Sequence, residues 1–118
     1  MNGQVPDNPV SIEEELRKLV TWITQAVSAN DAAYRAKLQA EHDYRVAYAR
    51  AYVRATGPQT EKRYIADLET VAEAQARDVT DAAHRYALDK HRALRDRLEA
   101  VRSIGASVRE AYRSSGVL

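Results

Sequence analysis

Apolar side chains recur at spacings of three and four along two long segments of this chain. That spacing places them on one face of an α-helix, and the strict alternation of a β-strand is missing. Both segments are therefore predicted to be amphipathic helices. The stripe of the first segment is Ile12, Leu16, Leu19/Val20, Ile23, Val27, Tyr34, Leu38, Tyr48, Ala51/Tyr52 and Ala55, and that of the second is Ile65, Leu68, Ala72, Ala76, Val79, Ala83, Tyr86, Lys90, Leu94, Leu98, Val101, Ile104/Gly105, Val108 and Tyr112.

One break separates the two segments, at residues 56–60. Gly57 tolerates the left-handed backbone that closes a helix, and Pro58 lacks the N–H that would continue one. Glu61 then lies in the first turn of the next helix, where the helix dipole favours a carboxylate. The pattern predicts an all-α fold, a long, coiled-coil-like antiparallel helical hairpin over residues 11–114.

The charge distribution independently favours the antiparallel arrangement. The net charge is only +1, but the consecutive blocks 1–31, 32–56, 57–83 and 84–118 carry −3, +3, −3 and +4. A hairpin that turns at Gly57 sets opposite signs beside each other along both halves, whereas a parallel pairing would set like beside like.

Capping signals predict where the hairpin begins and ends. Residues 1–10 are predicted to be a flexible N-terminal tail. Ser11, with Glu14 three positions later, has the pattern of a capping box and is predicted to open the first helix. Residues 115–118 form the predicted C-terminal tail. Residues 28–31 leave one alternative open, since residues 11–28 belong either to one long, bent helix or to a separate helix.

A two-helix hairpin of this length leaves many apolar side chains half exposed. We therefore expect the chain to assemble with itself into a homo-oligomeric helical bundle, such as a four-helix dimer. The alternative is that residues 11–28 fold back over the far end. The side chains expected at a partner or oligomer interface are Leu16, Leu19, Trp22, Ile23, Leu94, Leu98, Val101 and Val108.

Candidate chemistry is sparse. The absence of cysteine excludes disulfides and thiolate metal sites, and it fits an intracellular protein. No signal peptide and no run of about 20 apolar residues is visible, so we expect a location in the host cytoplasm and no membrane partner. No Gly-rich phosphate loop, nucleophile elbow or pair of catalytic carboxylates is found. We expect neither enzymatic activity nor a cofactor.

One cluster on the second segment raises a metal site as an alternative. Asp81, His84 and His91 fall broadly on one side of that helix and resemble half of a carboxylate-bridged di-metal site. Such a site needs a Glu-x-x-His motif on each of two helices. The first segment offers only residues 41–43, without that spacing, so a solvated polar surface is favoured and no metal site is predicted.

Two basic features leave nucleic-acid binding open. Tyr44, Tyr48 and Tyr52 recur at helical spacing beside arginines and could stack bases, although such a stripe more often buries its rings at a helix interface. Arginines near the end of the second segment could follow a phosphate backbone, or pair with the acidic side chains between them. The candidate residues for nucleic-acid contact are Arg92, Arg95, Arg102, Arg109, Tyr48 and Tyr52.

Three stretches together resemble a group of small Ala/Arg-rich helical proteins of tailed phages and prophages: residues 48–57 (YARAYVRATG), 61–63 (EKR) and 93–104 (ALRDRLEAVRSI). The resemblance covers about residues 34–113. It implies a phage protein encoded near replication and recombination genes, and it supplies no catalytic residue. Small secreted hairpins of actinobacterial type VII systems match in size, but they carry Trp-x-Gly at the turn, where this chain has Thr56-Gly57-Pro58.

The expected function is therefore that of a non-enzymatic, phage-encoded interaction protein. It would be an accessory to DNA replication or recombination, or would bind a host or phage protein. The alternative is direct binding of single- or double-stranded DNA through the arginine-rich helix ends.

Overall fold

The computed structural model describes residues 8–116. Within that range the chain forms three α-helices and no strand: α1 (Pro9–Arg54), α2 (Gln59–Glu69) and α3 (Val71–Ser114). The predicted all-α helical hairpin is confirmed. Residues 1–7 and 117–118 of the predicted tails lie outside the described residues.

Two compact units make up the fold. The terminal unit holds the described residues up to Ser28 and those from Asp89 onward, and the turn unit is Ala29–Leu88. In the terminal unit, Arg97 Nη2 lies 3.1 Å from Glu15 Oε1. This pair joins the beginning of α1 to the later part of α3, so the two helices are antiparallel there.

The turn unit shows the same antiparallel pairing. Arg54 and Glu69, on either side of the turn, approach to 3.4 Å. Farther from the turn, Lys37 Nζ lies 3.7 Å from Asp81 Oδ1. Cross-helix ion pairs occur in both units, as the opposite-sign charge blocks predict.

Helix α1 begins at Pro9, because Asn8 caps it. The Asn8 side-chain oxygen accepts the N–H of Ser11 at 2.9 Å, and the Asn8 carbonyl accepts the N–H of Ile12 at 3.0 Å. The Asn8 carbonyl thus accepts the first bond of the helix, and its side chain satisfies a donor that has no partner inside the helix. Pro9 occupies the first position, where its missing N–H costs nothing. The predicted start at Ser11 is wrong by two residues.

Helix α1 continues without a break through residues 28–31, so residues 11–28 are not a separate helix. Asp31 does not cap a new helix but pairs with Arg35 one turn later, at 3.1 Å. Such i,i+4 pairs support an existing helix. The alternative of one long first helix is confirmed.

The connection between α1 and α2 confirms the predicted glycine turn. Gly57 has a φ of 104°, in the left-handed region that favours glycine. A Cβ at this position would lie 2.8 Å from Glu61 Oε2, so the Glu61 side chain would have to move, whereas the positive φ is what requires glycine. Pro58, with φ −61° and ψ 156°, is the extended residue before Gln59, where α2 begins.

The second segment is interrupted once, at Thr70, where a single helix is predicted. Thr70 is buried and lies between α2 and α3 with φ −114° and ψ 21°. Its hydroxyl donates to the carbonyl oxygen of Ala66 at 2.7 Å. A threonine that bonds back to the residue four positions earlier competes with the backbone ladder and bends a helix.

Along each side of the hairpin, one line of residues at spacings of three and four is buried or half-buried throughout, and these are called the inner positions. On α1 they are Ile12, Leu16, Leu19, Ile23, Ala26, Asn30, Ala33, Lys37, Ala40, Tyr44, Ala47 and Ala51. From α2 to the end of α3 they are Ala66, Thr70, Glu73, Arg77, Thr80, His84, Ala87, His91, Leu94, Leu98, Val101, Gly105, Val108 and Tyr112.

The predicted stripe of the second segment is right from Leu94 onward and, apart from the half-buried Ile65, falls on exposed residues before it. Leu68, Val79 and Tyr86 are 76%, 67% and 69% exposed. On α1 the departure is smaller, with half-exposed side chains at Val20, Val27, Tyr34 and Leu38. The prediction assumes that the more apolar face of this segment is buried. In the structure, the more polar face, with Thr70, Arg77 and His84, lies inward.

Adjacent positions on α1 provide a test of this register. Leu19 is fully buried and Val20 is 55% exposed. Leu19→Ala is expected to lower the free energy of unfolding by about 2–5 kcal/mol, because it leaves a cavity in a packed cluster. Val20→Ala should change it by less than about 0.5 kcal/mol. Urea unfolding followed by circular dichroism measures both, and equal losses would contradict the register.

Candidate interaction surfaces

The eight side chains predicted to form an interface come together in the terminal unit. Leu19, Leu94 and Val101 are buried there with Ile12 and Ala26. The other predicted members pack against this core while partly exposed: Leu16, Trp22, Ile23, Leu98 and Val108. These side chains contact one another within one chain, so their first role is to hold α1 against α3.

Polar contacts and a close approach complete the terminal unit. The Glu15–Arg97 pair is largely shielded from solvent, with side-chain exposures of 16% and 23%. Gly105 is buried, and a Cβ built there would lie 3.2 Å from Ile12 Cγ2. Glycine inside a helix costs stability relative to alanine, but the small size of Gly105 allows α1 to approach closely here.

The turn unit is held by a different kind of contact. Many inner positions here carry polar or charged side chains, among them Lys37, Thr70, Glu73 and Arg77. Lys37 lies between two carboxylates, 3.9 Å from Glu41 and 3.7 Å from Asp81. The apolar inner positions are mostly alanines, which bury little surface. Packing in this unit therefore depends on paired charges and aromatic rings.

The tyrosines predicted as nucleic-acid contacts form a ladder that is used inside the turn unit. The ring centroids of Tyr44, Tyr48 and Tyr52 follow one another at 6.0 and 6.4 Å. Cations from the opposite side of the hairpin cover the two ends, with Arg77 at 4.3 Å from the Tyr44 centroid and Lys62 at 5.7 Å from that of Tyr52. Such cation–π contacts contribute about 0.5–1 kcal/mol each at exposed sites.

The Arg77 guanidinium has a second partner. It donates a hydrogen bond to Asp78 at 3.2 Å. This bond is the main cause that raises the pKa of Arg77 above its usual value, with Tyr44 adding to the effect. Both partners thus favour the charged form of Arg77, which is the form that a cation–π contact needs.

Two buried oxygens within residues 8–116 have no hydrogen-bond partner, namely Asn30 Oδ1 and Glu73 Oε2. Both belong to inner positions of the turn unit. A buried acceptor without a donor costs about 1–3 kcal/mol relative to a satisfied one. Among the described residues, the buried polar atoms without a hydrogen-bond partner therefore lie in the turn unit and not in the terminal unit.

Large apolar side chains of α2 and α3 form an exposed line on the face opposite the inner positions, here called the outer stripe. Three of its members, Leu68, Val79 and Tyr86, are predicted from the sequence to face inward. Tyr64 and Val71 are 66% and 47% exposed and fall in line with Leu68, Val79 and Tyr86. Each stripe residue lies two positions from an inner residue, which is about 200° around a helix. The outer stripe, completed by Gln75 and Ala82, is Tyr64, Leu68, Val71, Gln75, Val79, Ala82 and Tyr86.

The basic candidates on α3 are all exposed, and two of them are paired. Arg102 lies 2.9 Å from Glu99 and Arg92 lies 4.0 Å from Asp89. Arg95 and Arg109 form no ion pair with any described residue. Arg95, Arg102 and Arg109 follow at intervals of seven residues, so they form one row along the helix.

The cluster considered as a metal site is engaged in other contacts. Asp81 pairs with Lys37 and lies 2.8 Å from Arg85. The His84 ring packs on Tyr34, with centroids 5.2 Å apart. Over the described range, no group of three or more His, Cys, Asp or Glu side chains could hold a metal ion. None of the described helices is long and apolar enough to cross a membrane.

Comparisons of the chain with protein families, with curated proteins and with solved structures found no match. The function proposed below therefore depends on the arrangement of the surfaces described above.

The unsatisfied oxygen of Asn30 leads to a test of the turn unit. Asn30→Ala is expected to raise the free energy of unfolding by about 1–2 kcal/mol, because it removes a buried acceptor without a donor and improves helix propensity. Ser28→Ala is the matched control, since Ser28 is exposed and alanine there changes propensity alone, by about 0.5 kcal/mol. Urea unfolding at one protein concentration compares them. Equal gains would mean that the Asn30 oxygen carries no penalty.

Proposed function

We propose that the protein is a non-enzymatic helical interaction protein that binds another protein surface through the outer stripe. The observation that carries this proposal is the distribution of apolar side chains in the turn unit. Five large apolar side chains of the outer stripe are 47–76% exposed, while many inner positions carry alanines or paired charges. A contiguous exposed apolar patch on a small protein is typical of an interaction site.

Two further arguments support this proposal. The outer stripe contains two tyrosines, and tyrosine is enriched at interfaces because it combines a large apolar ring with a polar end. The cluster of eight side chains predicted as an interface is already packed within the chain. The resemblance to small helical proteins of tailed phages supports a phage origin, and we propose an accessory role in phage replication or recombination.

Site-specific photocrosslinking tests the outer stripe. Tyr86→p-benzoylphenylalanine in the full chain, expressed in bacterial cells, is expected to give a covalent protein adduct after irradiation. His42→p-benzoylphenylalanine is the matched control, an aromatic position that is exposed on α1 and outside the stripe. Adding Leu68→Glu with Val79→Glu to the Tyr86 variant should abolish the adduct, because charged side chains resist burial. No adduct at position 86, or equal adducts at both positions, would reject the proposal.

Direct DNA binding is the second candidate, and the row of Arg95, Arg102 and Arg109 favours it. These side chains project from one side of α3 at intervals of about 10 Å, and all are exposed. Arginines spaced in this way can follow a phosphate backbone.

The DNA-binding candidate predicts a strong dependence on salt. With three phosphate contacts, the affinity for a single-stranded oligonucleotide should fall more than about tenfold between roughly 50 and 200 mM salt. Replacing Arg95, Arg102 and Arg109 by alanine should remove most of the binding, whereas the exposed Arg35 and Arg50 serve as the control pair. Fluorescence anisotropy of a labelled oligonucleotide measures both effects. Binding that ignores salt, or that falls equally with the control pair, would contradict this candidate.

A further inference from the structure

The residues of the outer stripe have the same spacing in both directions from its centre, Gln75. Val71 and Val79 lie four residues from Gln75, and Tyr64 and Tyr86 lie eleven residues from it. Seven residues away, a large side chain on one side, Leu68, corresponds to a small one on the other, Ala82. The spacings are 4-3-4 on each side of Gln75, an 11-residue repeat that keeps a stripe nearly parallel to a helix axis. The helix is interrupted at Thr70, between Leu68 and Val71, but the inner positions Ala66, Thr70 and Glu73 keep the same spacing across the interruption.

We propose that the outer stripe binds the outer stripe of a second copy of this chain, antiparallel, about a two-fold axis that passes at Gln75. This inference rests on the proposed function, because it names the occupant of that surface. The two-fold brings each Tyr64 to Tyr86 of the other copy and each Val71 to Val79. It also places each Leu68 against an Ala82, and large side chains facing small ones fill space between helices without overpacking.

The glutamine at the centre fits such an axis. A side-chain amide has both donors and an acceptor, so two symmetry-related Gln75 side chains satisfy each other by exchanging hydrogen bonds. In any other antiparallel alignment of the two stripes, Gln75 would not face the Gln75 of the other copy, and this mutual exchange of hydrogen bonds would be lost. A single polar residue within an apolar helical interface selects one register in this way.

Charges at the edge of the stripe agree with the same register. Asp67 and Arg85 lie on the same edge, since they are separated by 18 residues, five helical turns. In an antiparallel two-fold pair, equal edges face each other, which brings Asp67 of one copy beside Arg85 of the other. The offset is two residues, about 3 Å along the axis, which an arginine side chain can span. Both side chains are exposed. Asp67 has no ion pair among the described residues, and Arg85 pairs with Asp81 of its own helix at 2.8 Å, so in the dimer it would lie between two carboxylates.

The exposed area is also sufficient. The exposed parts of Tyr64, Leu68, Val71, Val79 and Tyr86 amount to roughly 600–700 Å² per chain, close to the ~800 Å² per partner of a stable interface. The face lies opposite the inner positions, so α1 does not obstruct it. The surface needs no rearrangement of the turn unit to pair with itself.

Charge reversal tests the register. Wild-type protein is expected to give a concentration-dependent dimer by light scattering. Asp67→Arg should raise the dimer dissociation constant by about tenfold, because it faces Arg85 twice per dimer. Adding Arg85→Asp should restore most of the affinity. Asp43→Arg, a charge reversal of an exposed α1 carboxylate away from the stripe, serves as the control and should leave the constant unchanged.

Single-cysteine crosslinking tests the position of the axis, and the chain has no native cysteine. Gln75→Cys should form a disulfide-linked dimer on mild oxidation, because only a residue at the axis meets itself. Gln39→Cys, exposed on α1, should remain uncrosslinked.

The results separate this inference from the proposed function. A monomer at all concentrations, or a dimer that ignores both the Asp67→Arg and the Leu68→Glu changes, would overturn self-pairing. A photoadduct at position 86 with the mass of a different protein would also overturn it, while leaving the interaction function intact. An adduct with twice the mass of the chain supports both.

Discussion

A helix that packs against one partner can bury only one face, and the α2–α3 segment carries apolar side chains on two. The apolar packing of Leu94 and Val101 against α1 decides between them. A spacing of three and four residues, followed back from Leu94, reaches His84, Arg77 and Thr70 rather than Tyr86, Val79 and Leu68. The polar face of the turn unit is inward because it shares its helical phase with the best-packed part of the chain.

This constraint explains the unusual contacts of the turn unit. Once polar residues occupy the inner positions, they must find partners, and Lys37 and Arg77 do so with carboxylates and a tyrosine ring. Asn30 and Glu73 each retain a buried oxygen without one. Charged and cation–π contacts of this kind are weaker than the burial of leucine and valine. The two units thus differ in how they are stabilised, although both are antiparallel pairs of helices.

Local sequence chemistry was sufficient to predict the hairpin and its turn. Gly57 and Pro58 are strong signals because backbone sterics act within a few residues, and the opposite-sign charge blocks fix the direction of the pairing. The start of α1 was misplaced because Asn8-Pro9 and Ser11 with Glu14 are both good caps, and only the structure shows that Asn8 accepts the Ser11 N–H.

The inner face of α2 and α3 could not be predicted from hydrophobicity alone. Both phases of the segment have helical spacing, and the more apolar one, through Leu68 and Val79, is on the outside. Extending the 3-4 spacing backwards from the unambiguous Leu94–Val108 stretch would have found the correct phase. The contacts of Tyr44 and Tyr52 within their own hairpin depend on cations from the opposite side, so the pattern of the first segment alone does not predict them.

The position of the apolar cluster also has a consequence for how the chain folds. Contacts beside Gly57 close very short loops, whereas the Glu15–Arg97 pair joins residues 82 positions apart. The entropy lost on closing a loop grows with its length, although slowly. Contacts near the turn therefore lose the least loop-closure entropy, but the packing there is polar and weak. The strongest contacts, in the terminal unit, lose the most. Once the contacts near the turn are made, the loop that the distant contacts must close is shorter, and closing it loses less entropy.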